Sequence, residues 1–157
     1  MRRLPIYICI DTSGSMRGEA IESLRNVIQI LISYLRLDPY ALECAHICLI
    51  TFGTFPKEEF PLTPLMDVML PSTFICEGGC CLGAALEYIA YAVRRDGILD
   101  NRGSKGDYAP ILLIITGGKP NDSLAYEAVI PVIQSLGFSS IVVYATGLKV
   151  DIASLRR

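Results

Sequence analysis

The chain has one histidine, nearly balanced charge and no long unbroken apolar stretch, and each shortage removes a class of function. His46 is the single histidine among 157 residues. It has no second histidine with which to share a zinc ion, and no Ser/His/Asp set can be built around it. Lys and Arg number 14 and Asp and Glu 16, for a net charge of −2, which gives no electrostatic footing on nucleic acid or a membrane surface. The apolar run after Arg2 and Arg3 is broken at Asp11. It is too short to span a bilayer and carries no signal-peptide cleavage pattern, so a cytoplasmic location is expected. The phosphate-loop spacings G-x-x-x-x-G-K-[ST] and G-x-G-x-x-G are missing, as are repeats and low-complexity segments.

What is present suits one α/β domain. Hydrophobic residues make up 52% and charged residues 19% of the chain, an apolar but not disordered composition. A chain of this size buries about 68–70% of its unfolded surface, enough for one core. The six cysteines do not form a disulfide scaffold in this context. Cys9 and Cys48 lie in apolar strand runs and read as small buried hydrophobes. Cys76, Cys80 and Cys81 lie in a Gly-rich loop that opens a helix. They are expected to be accessible, with Cys80 or Cys81 activated by the helix start.

The informative stretch is Ile6-Tyr7-Ile8-Cys9-Ile10-Asp11-Thr12-Ser13-Gly14-Ser15-Met16. Its apolar half reads as a strand buried on both faces, as central parallel strands are. Asp11 then falls at the carboxyl end of the strand, the edge at which open α/β sheets bind ligands. Asp11, Ser13 and Ser15 follow at every second position, so several of their oxygens can approach one small centre. Such a set suits a hard dication such as Mg²⁺. The same residues also suit a polar turn that caps a helix.

Along the chain, Ile21, Leu24, Ile28, Leu31 and Leu35 repeat at helical spacing, widened by Val27 and Ile32, until Asp38-Pro39 stops the helix. His46 to Phe52 is a second strand, and a short charged edge strand is expected around Glu58–Phe60. A helical turn near Met66–Met69 is the most that the following prolines allow. Leu82, Leu86, Ile89, Ala90 and Val93 mark a second helix. A long surface connection runs from Asp96 to Tyr108, and Ile111 to Thr116 is another buried strand. Ser123 can cap a helix over Leu124–Leu136, with Leu124, Ala128, Val132 and Leu136 inward and a kink at Pro131. Ile141 to Ala145 is the last clear strand, and a helix is expected to begin within Asp151–Leu155. This order implies a doubly wound, mostly parallel central sheet with one antiparallel edge strand and helices on both faces.

The string Asp11-Thr12-Ser13-Gly14-Ser15 matches the D-x-S-x-S motif of von Willebrand factor A domains, and the chain resembles that family. The likeness narrows to its tellurite-resistance TerY branch through Met1–Tyr7, Asp38–Glu43, Pro61–Leu65 and Lys105–Pro110. The resemblance implies a non-enzymatic protein-interaction module of a bacterial stress or tellurite-resistance system. It also implies kinase and phosphatase partners and a metal-ion-dependent adhesion site at the top of the sheet. Two positions depart from the family's site. Cys80 stands where the family carries threonine in G-G-T-x-L-G, and Gly117 stands where it carries aspartate in T-D-G-x-P. Asp11, Ser13 and Ser15 remain, so a degenerate site is expected, with Mg²⁺ held weakly or no metal at all. The domain, residues 1–157, resembles relatives that continue with a further strand and helix. Their loss would leave a seam beside Ile141–Ala145 for a homodimer or a docked partner.

Two other readings stay open on the residues. An aspartate ending a first strand is similar to the phosphotransferases and hydrolases of the haloacid dehalogenase type, though Ser13 stands where their second aspartate is needed. A thiol-based sensor would use Cys80 and Cys81.

Overall fold

The structure is a computed structural model that describes residues 3–96, 108–116 and 122–145. Among these residues, five strands form one sheet in the order β3-β2-β1-β4-β5. The strands are β1 (Leu4–Asp11), β2 (Ala45–Phe52), β3 (Pro56–Pro64), β4 (Ile111–Thr116) and β5 (Ser140–Ala145). β1 pairs in parallel with β2 and β4, and β4 with β5; only β2 and β3 run antiparallel. The doubly wound, mostly parallel sheet with one antiparallel edge strand is therefore the observed architecture.

β1 is central because both of its faces are apolar. Tyr7 and Cys9 pack into the core on one face, Ile8 and Ile10 into the core on the other. The second face is covered by α1 (Glu19–Leu35), whose Ile21, Leu24, Ile28 and Ile32 are buried. Glu19 and Glu22 lie in its first turn, where the helix dipole favours negative charge. The first face is covered by α3 (Leu82–Arg95) and α4 (Ser123–Ser135).

Three expectations need correction. Asp38-Pro39 ends α1 but also starts another helix, α2 (Pro39–Cys44): the Asp38 side chain accepts from the Tyr40 amide, and proline occupies the first helical position. The edge strand is longer than expected, nine residues with Pro61 and Pro64 inside it. Edge position tolerates them, and Pro61 falls where the pairing with β2 slips between Ile47 and Leu49. In α4 the inward residues are Tyr126, Val129, Ile133 and, just past its end, Leu136, whereas Leu124 is 84% exposed. α4 continues through Pro131.

The expected turn near Met66 is a short 3₁₀ turn, Leu65–Asp67. The connection from 97 to 107, the loop from 117 to 121 with Gly117, and the segment from 146 onward with the expected helix and seam lie outside the described residues. Within them, β5 forms one edge of the sheet, and Val142 on it is half exposed. No described helix is long and apolar enough to cross a membrane.

Candidate functional site

The strand order turns back between β1 and β4: β2 and β3 lie on one side of β1, β4 and β5 on the other. The carboxyl ends of β1 and β4 flank this point, where open α/β sheets hold their ligands. Asp11 ends β1 and Thr116 ends β4. Both are wholly buried, and Ser13 and Cys80 are at least nine-tenths buried beside them.

A carboxylate placed there requires donors, because an ion out of water is costly unless hydrogen-bonded. Asp11 has three. Its Oδ1 accepts from the Ser13 amide at 2.8 Å. Its Oδ2 accepts from the Thr116 hydroxyl at 3.0 Å and from the Cys80 thiol at 3.5 Å. The Cys80 Sγ also lies 3.6 Å from Thr116 Oγ1, which closes a triangle of carboxylate, hydroxyl and thiol. The side chain of Ser15 lies outside the described parts, as does Gly117.

Cys80 is held in this triangle by a seam between loops. Glu77 donates its amide to the Thr12 carbonyl at 3.0 Å, and the Gly14 amide reaches the Gly78 carbonyl at 2.9 Å. The Cys81 amide reaches the Gly53 carbonyl at 3.1 Å, and Arg17 Nε the Cys76 carbonyl at 2.8 Å. A Cβ on Gly53 would collide with the Glu77 carbonyl, so glycine is what lets this loop close on the end of β2.

The closure overturns the expectation of accessible thiols at Cys76 and Cys80. Cys76 and Cys80 are buried, and only Cys81 is partly open. Burial, then the charge of Asp11, pushes the Cys80 thiol up to about 12, against a smaller downward pull from Thr116. Burial also raises Cys81, with Asp122 adding to it. Desolvation outweighs the helix start at both, so neither thiol is activated in the way the thiol-sensor reading expected. Asp122 is held at the start of α3: its two oxygens accept from the Gly83 and Ala84 amides, at 3.0 and 2.9 Å.

Thr116 is the site residue that the sequence reading passed over. A single hydroxyl ending an unbroken apolar strand was the available signal. Beside the triangle, a cleft of about 520 Å³ is lined by Thr12, Thr51, Lys57 and Glu59, with Phe55 and Ile75 on its rim. Those two rim side chains are 79% and 76% exposed.

The donors that a dication would meet here are the Asp11 carboxylate, the Cys80 sulfur and neighbouring hydroxyls. Among the described residues no three His, Cys, Asp or Glu side chains converge, so hydroxyls or water would complete the shell. The thiol is a poor match for Mg²⁺, which takes oxygen in a near-octahedral shell.

The sequence profile of the von Willebrand factor type A domain matches residues 6–157. No curated protein sequence matches the chain. Among solved structures, proximal thread matrix protein 1 of the mussel byssus superposes with a TM-score of 0.65 at 17% identity, covering 98% of this chain and 40% of its own. A form of that protein with a zinc-occupied MIDAS motif gives 0.61 at 14% identity, over 98% and 38%. The manganese-loaded TRAP protein of Plasmodium vivax gives 0.66 at 18% identity, over 98% and 61%. At these identities the likeness is one of fold, and the chain spans less than two thirds of the length of each. With a profile match over nearly its whole length, the chain belongs to the von Willebrand factor type A domain family.

Proposed function

We propose that the chain is a non-enzymatic protein-interaction module that presents the carboxyl edge of its sheet to a partner. The observation that carries this is the state of Asp11. Both oxygens accept hydrogen bonds inside a buried triangle, so the carboxylate serves as a structural centre and not as an exposed nucleophile. The loops hydrogen-bonded around it form a rim, with Phe55 and Ile75 as apolar contacts. Such exposed apolar groups beside a polar cleft suit a protein partner. Sequence likeness at Asp38–Glu43 and Pro61–Leu65 supports the TerY-like branch, with a kinase or phosphatase partner and a role in tellurite resistance or stress. Thiols at Cys44, Cys48, Cys76, Cys80 and Cys81 favour a reducing, cytoplasmic setting. The half-exposed Val142 on β5 is the observation behind a homodimer through that strand, which light scattering would reveal.

The test is affinity capture from the source cell with the wild-type chain beside Phe55→Ala and Ile75→Ala. A defined partner retained by the wild type and lost with either variant is the expected result. Hydrolysis of a phosphate ester that disappears in Asp11→Asn would overturn it.

A further inference from the structure

We infer that the Asp11 site selects a thiophilic dication of the Zn²⁺ class, with the Cys80 sulfur as a direct ligand, in place of Mg²⁺. This deepens the interaction-module reading by naming the ion of the same site.

The donor atoms of the site converge. A zinc ion with sulfur at about 2.3 Å and oxygen at about 2.0–2.2 Å, at a tetrahedral angle, holds the two atoms about 3.5–3.7 Å apart. Cys80 Sγ stands 3.5 Å from Asp11 Oδ2 and 3.6 Å from Thr116 Oγ1. Asp11 Oδ2 and Thr116 Oγ1 stand 3.0 Å apart, so one sulfur and two oxygens face a common point, and the sulfur lies at a spacing that a zinc ion can bridge.

The chemistry separates the two ions. Sulfur raises affinity for borderline and soft ions and contributes little to a hard one. Asp11 supplies the second anionic donor, and Ser13 stands on the same loop with its amide already fixing Asp11 Oδ1. These side chains are nine-tenths or more buried, so the ion's attraction to its ligands is screened less than at a surface. On binding, the ion replaces the thiol proton, which passes to solvent, and the S–H···O bond gives way to two metal–ligand bonds.

The test uses the full reduced chain and metal ions alone. Cobalt(II), which takes zinc's place and is coloured, should bind at one equivalent with a sulfur-to-cobalt charge-transfer band in the near ultraviolet. Zn²⁺ should displace it, and Mg²⁺ in about 100-fold excess should not. Cys80→Ser should abolish the band and weaken Zn²⁺ by about 100-fold, the upper end of what even outer-shell changes cost. Cys81→Ser should leave both unchanged. Failure of cobalt to bind, cobalt bound without the band, or a band that survives Cys80→Ser would each overturn the inference. Should Cys80→Ser not fold, Cys80→Thr supplies the same comparison, and the wild-type spectrum decides by itself whether sulfur is a ligand. No partner enters these measurements, so their failure leaves the interaction module standing, and a failed capture leaves the metal assignment standing.

Discussion

Asp122 reaches from the start of α4 to Gly83 in the first turn of α3, accepting its amide at 3.0 Å through Oδ1. Oδ2 takes the next amide, of Ala84, at 2.9 Å. A helix leaves its first amides without intrahelical partners, and here a carboxylate from another helix satisfies two of them. The helices must approach closely for this. A Cβ on Gly83 would stand 2.5 Å from the Tyr126 nitrogen, so this position admits only glycine without displacing backbone.

Asp122→Ala should therefore destabilise the fold by about 1–2 kcal/mol, the range of a lost helix cap. Gly83→Ala should cost more than the change usually does, because backbone has to move. Urea denaturation would show both as a lower midpoint with an unchanged slope. Equal stability of wild type and Asp122→Ala would contradict the bridging role.

A second relationship lies at the other end of α3. Tyr7, wholly buried in β1, donates its hydroxyl to Asp96 Oδ2 at 2.7 Å. Asp96 in turn accepts from Arg95, which also reaches Glu58 at 2.7 Å. Tyr7→Phe should lose about 1.5 kcal/mol, the value of a hydrogen bond to a charged acceptor. Thermal unfolding of the two proteins side by side would check it.

Brief alkylation followed by mass spectrometry should label Cys81 first and Cys9, Cys48 and Cys80 last. Cys9 and Cys48 have no exposed surface, and Cys80 keeps its proton through neutral pH as well as lying under the loop. Rapid labelling of Cys80 would contradict the closed triangle.

The same thiols predict loss of stability in alkali. Burial raises Cys48 and Cys80 from 9.0 to about 12. Below pH 9 both are protonated whether the chain is folded or not, and their neutral form is no handicap. Above it the unfolded chain loses protons that the folded chain retains, so stability falls as pH rises from 9 to 12. Urea midpoints across that window should decline, and less steeply in Cys48→Ala relative to its own value at pH 8.

Much of this was legible because it rests on unbroken apolar runs. β1, β2 and β4 have no competing period, and the stripe Leu82, Leu86, Ile89, Ala90 and Val93 is buried as its spacing implies. α4 misled because it is apolar nearly all round. The three positions Glu127, Pro131 and Gln134, all exposed, lie on one face and mark the outer side, whereas its one leucine, Leu124, does not mark the inner. Asp11 and Ser13 were legible from spacing. The triangle was not, since Cys80 and Thr116 meet Asp11 only across 69 and 105 residues of chain, a separation that no local pattern records.

The last prediction follows from the two residues that depart from the family's site. A carboxylate about 4 Å from a dication contributes roughly 8 kcal/mol of gross attraction at an effective dielectric near 20. Desolvation offsets most of that, but a site of modest affinity depends on what is left. Gly117 supplies no such group, and Asp122, the nearest carboxylate in sequence, is engaged with Gly83 and Ala84. Cys80 meanwhile places sulfur where a hard ion takes oxygen. Calorimetry should thus find little Mg²⁺ bound to the native chain. Cys80→Thr alone should weaken Zn²⁺ while improving Mg²⁺ only slightly, because the negative charge is still missing. Cys80→Thr combined with Gly117→Asp supplies both the oxygen and the charge, and should bring Mg²⁺ binding into the measurable range. Tight Mg²⁺ binding by the unmodified chain would refute this account of the site, and so would a double variant that remained indifferent to Mg²⁺ while folded.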